Sequence, residues 1–485
     1  MRHRLPSFSR TLLLPALLAG CMSMDGLHTT AQPVDADQLH AARTLADAPV
    51  GAWPQADWWK AYGDAQLDAL IEEGLANSPS PKIAQDRVQK ALAFARAADA
   101  ARSPNINATL SSSRQRFSEN YIYPPGVGGE WYTMNQLQLN IDYDFDLWNR
   151  HRAAYAGALN EAQATQVDQY AAQLLLSTSV ARAFIQLQHA HEQRDVAQAM
   201  LAEREHLLDL TRQRVAAGID SDLELKQAEA MVPATRQQLV QIDETLAVTR
   251  NQIAALIGRG PDRGLDIARP RLQLPSAAAL PSRVPADLIG RRPDVLAQRL
   301  RVAAAAENIT VAKADFYPDV NLAAFVGLQS LGLSEFLNSG SAIAGVGPAL
   351  TLPIFHGGNA RANLAGKNAD YDLAVDQYNQ TLVDALHDVA DQLAALRSVD
   401  AQRAELDRAI AAATDAYALA QQRYQAGMDD YLQVLSAQEQ LLQQDIFDID
   451  LRARALDASI SLIRALGGGL DMPVDLSTAA STKEN

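Results

Sequence analysis

Apolar side chains recur at helical spacing over most of the chain, most regularly in its last long segment. Between residues 431 and 466 they step by alternating fours and threes, interrupted only at Glu439. The seam consists of Leu435, Glu439, Leu442, Ile446, Ile449, Ala453, Leu456, Ile460 and Ile463. A repeat of about 3.5 residues is typical of coiled coils, whereas a helix on a globular domain repeats closer to 3.6. The pattern therefore predicts a coiled-coil helix.

A different pattern, strict alternation, predicts strands. Leu137, Leu139, Ile141, Tyr143 and Phe145 alternate with polar residues, so one face of this strand is apolar. Residues 105–110 and 320–328 alternate in the same way, and residues 346–352 do so more weakly. Such strands fit a soluble sandwich or a barrel whose outer face contacts lipid and whose inner face contacts water.

The lipid-facing alternative has a consequence for assembly. A sheet in lipid must close, because a free edge would leave backbone groups without hydrogen bonds. Four strands are too few, since a single-chain membrane barrel has at least about eight. Several chains would therefore share one barrel: two copies reach eight strands and three copies reach twelve. The sequence does not decide between them.

The order of elements occurs twice. Predicted helices at 67–101, 152–217 and 222–256 return at 286–316, 359–426 and 431–466. The motif Arg214-Val-Ala-Ala-Gly218 likewise returns as Arg423-Tyr-Gln-Ala-Gly427. The long helices would extend about 100 Å. We therefore divide the chain into a first repeat (58–260), a Gly-, Pro- and Arg-rich linker (261–285), a second repeat (286–468) and a C-terminal tail (469–485).

The N-terminus has the features of a secretory signal. Arg2 and Arg4 precede a short apolar run that ends in Leu18-Ala19-Gly20, directly before Cys21. This arrangement resembles the bacterial lipoprotein signal. We therefore expect residues 1–20 to be a signal peptide and residues 21–57 to be a lipidated leader. Cys21 would be the mature N-terminus and would carry diacylglycerol and an acyl chain. The alternative is a buried free cysteine.

Composition argues against several functions. The chain has 42 Lys and Arg against 57 Asp and Glu, a net charge of −15, which disfavours nucleic-acid binding. One cysteine allows no disulfide within the chain and no Cys-based zinc cluster. His189 and His191 are two residues apart and face different sides of a helix. We therefore predict no catalytic site, no metal site, no other cofactor and no enzymatic activity.

Six motifs in order resemble the TolC-like outer membrane efflux factors, and most closely the NodT-type lipoprotein subfamily. The resemblance covers residues 58–468. The matching motifs are Trp58-Trp59 with Tyr62-Gly63-Asp64, Asp146-Leu147-Trp148-Asn149-Arg150, Arg291-Arg292-Pro293-Asp294-Val295, Ala314-Asp315-Phe316-Tyr317-Pro318, Gly347-Pro348 through Phe355, and Gly357-Gly358. Asn149 departs from the family, which usually has Gly there.

The resemblance implies a membrane α+β fold with an internal duplication. The fold implied by the resemblance belongs to a homotrimer, in which four strands per chain form a twelve-stranded β-barrel in the outer membrane lipid. A long periplasmic α-helical barrel of coiled-coil hairpins continues it. A periplasmic adaptor (membrane fusion) protein and an inner-membrane pump, more often RND-type than ABC-type, would open this passive export duct.

Gate candidates lie beside the turns at Gly218 and Gly427. They are Asp220, Asp222, Asp429, Asp430, Arg423 and Tyr424. By resemblance, Arg423 and Tyr424 would tie a closed tip together, and threefold rings of the acids would attract cations. The alternatives are helix caps for the acids and a solvated helix face for Arg423 and Tyr424.

Two other function classes stay open. One is a lipid-anchored periplasmic coiled-coil adaptor or scaffold, which the amphipathic strands disfavour. The other is a lipid-anchored periplasmic enzyme, which the lack of a catalytic constellation disfavours.

Overall fold

The computed structural model describes residues 23–35, 38–41, 43–45, 51–275, 288, 290–352 and 357–470. In these ranges the helices are α1 (Ala65–Asn77), α2 (Pro79–Ala100), α3 (Arg150–Ala216), α4 (Asp222–Leu256), α5 (Asp262–Leu265), α6 (Pro293–Ala314), α7 (Asn359–Gln425) and α8 (Tyr431–Ala465). The strands are β1 (Asn105–Arg116), β2 (Trp131–Asp144), β3 (Asp319–Leu331) and β4 (Ala342–Thr351). Short 3₁₀ helices lie at Trp58–Tyr62 and Ser339–Ser341.

Most predicted helix bounds are confirmed to within two residues, and one prediction is wrong. The helix expected over residues 67–101 is two helices, because Ser78 between them has an extended backbone with ψ 139°. The ring of Pro79 disfavours helical geometry at the residue before it. The second repeat has a similar break: residues 288, 290 and 291 are helical, the helix is interrupted at Arg292, and α6 begins at Pro293. The predicted start at residue 286 lies outside the described residues.

The first compact unit contains the sheet. Its described parts fall in segments 1–33, 87–165 and 298–378. The four strands form an antiparallel sheet in the order β1-β2-β3-β4. Leu139 of β2 lies opposite Ala108 of β1 and Val326 of β3, which lies opposite Ala344 of β4. This register places the apolar rows that include Ala108, Leu139, Val326 and Ala344 on one face, whereas Phe325 and Ile343 lie on the other.

All four long connections enter the sheet at the same end. α2 and α6 lead into the first residues of β1 and β3, and α3 and α7 follow the last residues of β2 and β4. The opposite end carries only the loops 117–130 and 332–341. The sheet therefore has a helical end and a loop end.

The second compact unit contains the helical hairpins α3–α4 and α7–α8, with described parts in segments 34–86, 166–297 and 379–485. Its largest core joins Trp58, Tyr62 and Leu67 to Phe184 on α3 and Ile460 on α8. The Tyr62 hydroxyl is 2.9 Å from the Ser459 hydroxyl, which places the N-terminal 3₁₀ helix on one face of α8. Among the described residues, none of the helices combines the length and the apolar content needed to span a bilayer.

Candidate functional site: the hairpin tips and the sheet

The two hairpin tips have the same turn. Gly218 and Gly427 both have φ +72°, a left-handed conformation that costs glycine little and other residues more. The N–H of Ile219 donates to the carbonyl of Arg214 at 2.9 Å, and the equivalent bond at the second tip is also 2.9 Å. This is the Schellman end of a helix. An Arg-x₃-Gly-x-Asp motif therefore places an arginine and an aspartate side by side at each tip.

At the first tip this pair is buried and joined to the other hairpin. Arg214 Nε and Nη2 donate to the carboxylate of Asp220 at 2.9 and 3.0 Å. Arg214 Nη1 donates to the carbonyl of Tyr424 at 2.7 Å, and the Tyr424 hydroxyl donates to Asp220 at 2.7 Å. The guanidinium lies 4.2 Å from the centre of the Tyr424 ring. The side chains of Arg214 and Asp220 are only 10% and 8% exposed. We name Arg214, Asp220 and Tyr424 the tip triad.

The pKa values of the two acids in the tip triad shift in opposite directions. The hydrogen bonds from Arg214, and then from Tyr424, hold the pKa of Asp220 below its ordinary value despite its burial. Burial raises the pKa of Tyr424 to about 12. Asp220 is therefore ionised and Tyr424 protonated at neutral pH, the states in which the tyrosine donates and the carboxylate accepts.

At the second tip the equivalent ion pair is exposed to solvent and does not join the hairpins. Arg423 Nε donates to Asp429 at 2.5 Å within the same hairpin, and the Arg423 side chain is 58% exposed. The position equivalent to Tyr424 in the first repeat is Val215, which has no hydroxyl to bridge the hairpins. The cross-hairpin arginine is therefore Arg214, which sequence reasoning did not select. Its alignment with Arg423 in the repeated motif was the signal that could have identified it.

The remaining tip candidates lie at helix starts. Asp430 caps α8 by accepting a hydrogen bond from the N–H of Gln433 at 3.2 Å. Asp222 is the exposed first residue of α4, which Ser221 and Glu224 cap reciprocally. Acids favour helix N-termini, so the local geometry accounts for both positions.

A second set of polar contacts joins α3 and α7, further from the turns than the tip triad. The sequence analysis did not predict it. The Tyr417 hydroxyl of α7 donates to Glu203 of α3 at 2.6 Å, and Gln421 donates to the same oxygen at 2.9 Å. Burial is the largest cause that raises the pKa of Tyr417, followed by its bond to Glu203. These contacts form a second hydrogen-bonded link between the hairpins.

The two faces of β2 differ in polarity. On β2, Leu137, Leu139 and Ile141 are 38%, 46% and 37% exposed, and Tyr143 is half-buried. On the other face, the amide of Gln138 donates to Asn140 at 2.6 Å in a ladder along the strand. An exposed apolar band opposite a polar ladder is the pattern of a strand between lipid and water.

Aromatic side chains mark both ends of this apolar band. At the helical end, Trp148 stacks on Tyr317 at 4.5 Å, and its indole N–H donates to the carbonyl of Pro318 at 2.7 Å. At the loop end, Phe117 packs against Tyr123 at 4.7 Å. Aromatic girdles at both interfaces are a feature of outer membrane strands.

Comparisons with known proteins agree with this geometry. A model of the family described as "Outer membrane efflux protein" matches residues 70–259 and 284–468. The chain belongs to this family. The fusaric acid resistance protein FusA of Burkholderia cepacia is 40% identical over 363 residues, 74% of this chain and 68% of FusA. The multidrug resistance outer membrane protein MdtP of Escherichia coli is 30% identical over 464 residues, 93% of this chain and 94% of MdtP.

Solved structures show the same fold. The outer membrane protein VceC of Vibrio cholerae superposes with a TM-score of 0.82 at 38% identity, covering 86% of this chain and all of VceC. The outer membrane channel OprN superposes with a TM-score of 0.81 at 26% identity, covering 92% of this chain and 98% of OprN. This outer membrane efflux protein is therefore a TolC-like efflux channel of the outer membrane, and the resemblance inferred from its motifs is confirmed. Its family is one of channels, not of enzymes. Cys21 lies outside the described residues.

Proposed function

We propose that three copies of this chain close their four-stranded sheets into one twelve-stranded barrel in the outer membrane. The observation that carries the proposal is the sheet itself, which has a continuous apolar face and two edge strands. In the described chain, β1 and β4 each pair with only one neighbouring strand. Edges of that kind are not stable in lipid, so each β4 would pair with β1 of the next copy.

The assembled channel is a passive duct for drugs or other small organic molecules. The names of MdtP and FusA, which refer to resistance to multiple drugs and to fusaric acid, support this cargo class. A periplasmic adaptor (membrane fusion) protein and an inner-membrane pump, RND-type rather than ABC-type, would open the channel and supply the energy. The chain itself performs no chemistry and needs no cofactor.

A lipid on Cys21 would anchor the chain beside its barrel, as diacylglycerol on the thiol and an acyl chain on the amine. Support comes from the described leader, which lies along α7. Arg361, in the first turn of α7, donates to the carbonyls of Ser23 and Asp25. Asp372 accepts bonds from the N–H groups of Thr30 and Ala31 at 3.0 Å. The described leader therefore begins beside the start of α7.

The tip triad would hold the duct closed at its periplasmic end. Arg214 and Asp220 belong to the first hairpin and Tyr424 to the second, so splaying the hairpins apart breaks their shared bonds. Three copies around the axis would repeat this lock three times. An adaptor that binds the splayed hairpins better would shift the equilibrium towards the open duct.

A cysteine pair that can form a disulfide only between copies tests the barrel. β2 and β3 separate β1 from β4 within one chain. Thr109→Cys on the polar face of β1 is combined in turn with cysteine at Ile343, Gly345 or Gly347 of β4. At least one pair should give a ladder ending at three chains on a non-reducing gel, while Thr109→Cys alone gives none. No ladder with any pair, or one that continues beyond three chains, would contradict the proposal.

A further inference from the structure

Positive charge lies at one place on the face of the sheet that carries Leu139. The register is continuous along all three strand pairs, so alternate residues of each strand share this face. Among the strand residues that the structure describes, the charged ones on this face are Arg114 and Arg116, both at the loop end of β1. The acids of the four strands lie on the opposite face, at the helical end: Asp142, Asp144 and Asp319.

Arg114 lies at the outer edge of the apolar band. It pairs with Thr133 of β2, and Tyr143 lies at the helical end of the same face. The stretch of strand between Thr133 and Tyr143 extends about 34 Å, or about 26 Å along the membrane normal at a tilt of about 40°. The apolar band of outer membrane barrels is about 25 Å tall, so Arg114 would lie beside the lipid headgroups. Trp131, which pairs with Arg116 and is 59% exposed, fits the same level.

The two arginines differ in their partners. Arg116 Nη2 donates to Glu119 at 3.0 Å, and Arg116 Nε donates to the carbonyl of Gly129 at 2.8 Å. Arg114 is exposed and, among the residues that the structure describes, has no hydrogen-bond or ion-pair partner. In the assembled barrel β4 of the next copy would lie beside β1, and β4 contains no charged residue that could pair with Arg114. The guanidinium of Arg114 is therefore available to an anion from the membrane.

We propose that Arg114, beside Arg116, binds the phosphate of an anionic lipid in the outer leaflet of the membrane. One guanidinium can donate two parallel hydrogen bonds to a phosphate. The acyl chains of the same lipid would contact Leu110 and Ile106, which are 72% and 64% exposed on the same face of β1. The inference rests on the proposed barrel, because only a sheet that faces lipid brings headgroups to this level. It goes beyond the barrel by assigning a lipid-binding site and the class of lipid.

Native mass spectrometry of the full-length protein in detergent tests the site with two lipids that have the same acyl chains. Dioleoyl phosphatidic acid has an exposed phosphate monoester, whereas choline offsets the phosphate charge of dioleoyl phosphatidylcholine. We would add each lipid in turn and measure the lipid-bound fraction of the protein. The wild type should prefer phosphatidic acid, and Arg114→Gln should reduce that preference about fivefold, the contribution of one basic side chain at an anionic membrane surface. Inorganic phosphate at the same concentration should not displace the lipid, because it has no acyl chains.

The double variant Arg114→Gln with Gln115→Arg is the matched control. It keeps the net charge of −15 and moves the cation by one residue, to the opposite face of β1. It should bind phosphatidic acid as weakly as Arg114→Gln alone. The inference is overturned if the wild type shows no preference, if Arg114→Gln keeps the wild-type preference, if the double variant recovers it, or if inorganic phosphate displaces the lipid.

The same spectra keep this inference separate from the proposed barrel. Complexes of three chains that show no preference for phosphatidic acid would refute the lipid site and leave the barrel standing. Chains that never assemble in threes would refute the barrel, and with it the placement of Arg114 at the membrane surface.

Discussion

Replacing Asp220 with Asn should unlock the periplasmic tip. The amide keeps the shape of the side chain but removes the charge that Arg214 and Tyr424 both bind. The Arg214–Asp220 ion pair lies within one hairpin and survives when the hairpins separate, so the part of the lock that Asp220 supplies is the bond from the Tyr424 hydroxyl to the Asp220 carboxylate. A hydrogen bond to a charged group contributes about 1.5–3 kcal/mol per copy. Three copies would multiply the effect, so the equilibrium should shift strongly towards the open tip.

Single-channel conductance in planar bilayers is the assay. Asp220→Asn should conduct more than the wild type, and Tyr424→Phe should raise conductance by a similar amount, because it removes the same cross-hairpin bond from its other end. Asp429→Asn is the matched control at the second tip, where Arg423 is exposed and the pair contributes little. Wild-type conductance for Asp220→Asn, or equal gains for both asparagine variants, would refute the lock.

The same lock predicts a pH dependence. The pKa of Asp220 is lower in the folded chain than in the unfolded one, so its contribution is complete above the ordinary aspartate pKa of about 3.9. That contribution disappears as the pH falls through the lowered pKa. Tyr424 stays protonated throughout this range. Wild-type conductance should therefore be steady from about pH 5 to 8 and rise in more acidic solution, whereas Asp220→Asn should lack the acidic rise.

Three further predictions concern other parts of the molecule. Leu139→Arg should destabilise the barrel by about 2–4 kcal/mol in thermal unfolding, whereas Gln138→Arg on the polar face should cost little; equal losses would place both faces in the same environment. Cys21→Ser should abolish acylation in intact-mass measurements without preventing assembly. A wild-type protein without acyl chains would contradict the proposed lipid anchor. If the first hairpin of one copy packs on the second hairpin of the next, Val215→Tyr should cover that copy's exposed Arg423 pair and reduce conductance, and an unchanged conductance would argue against such packing.

The sheet could be predicted where its pattern is regular. Leu137, Leu139 and Ile141 alternate with polar residues, and period-two alternation is a local property that the sequence shows directly. The pattern does not predict the end of β1, because residues 111–116 are polar at every position and no alternation marks them. Pairing with the neighbouring strand, not the local pattern, extends β1 to Arg116.

The contacts at the tip, in contrast, could not be predicted from the local sequence. The repeated Arg-x₃-Gly-x-Asp motif located both turns, but Tyr424 is about two hundred residues from its partners Arg214 and Asp220. Only the packing of one hairpin on the other brings them together. In α8, likewise, the predicted seam included Ile449 and Leu456 but omitted Leu451, because the helix packs against two neighbours and a single 3.5-residue stripe describes one.

Native mass spectrometry of the full-length protein, released from nanodiscs at neutral pH, tests the central claim most directly. Each chain contributes four strands, so three chains are needed for a twelve-stranded barrel. The account predicts a single dominant species of three protein chains, with the same count for Asp220→Asn, whose change affects the tip and not the barrel. A dominant species of one, two or four chains would contradict the shared barrel.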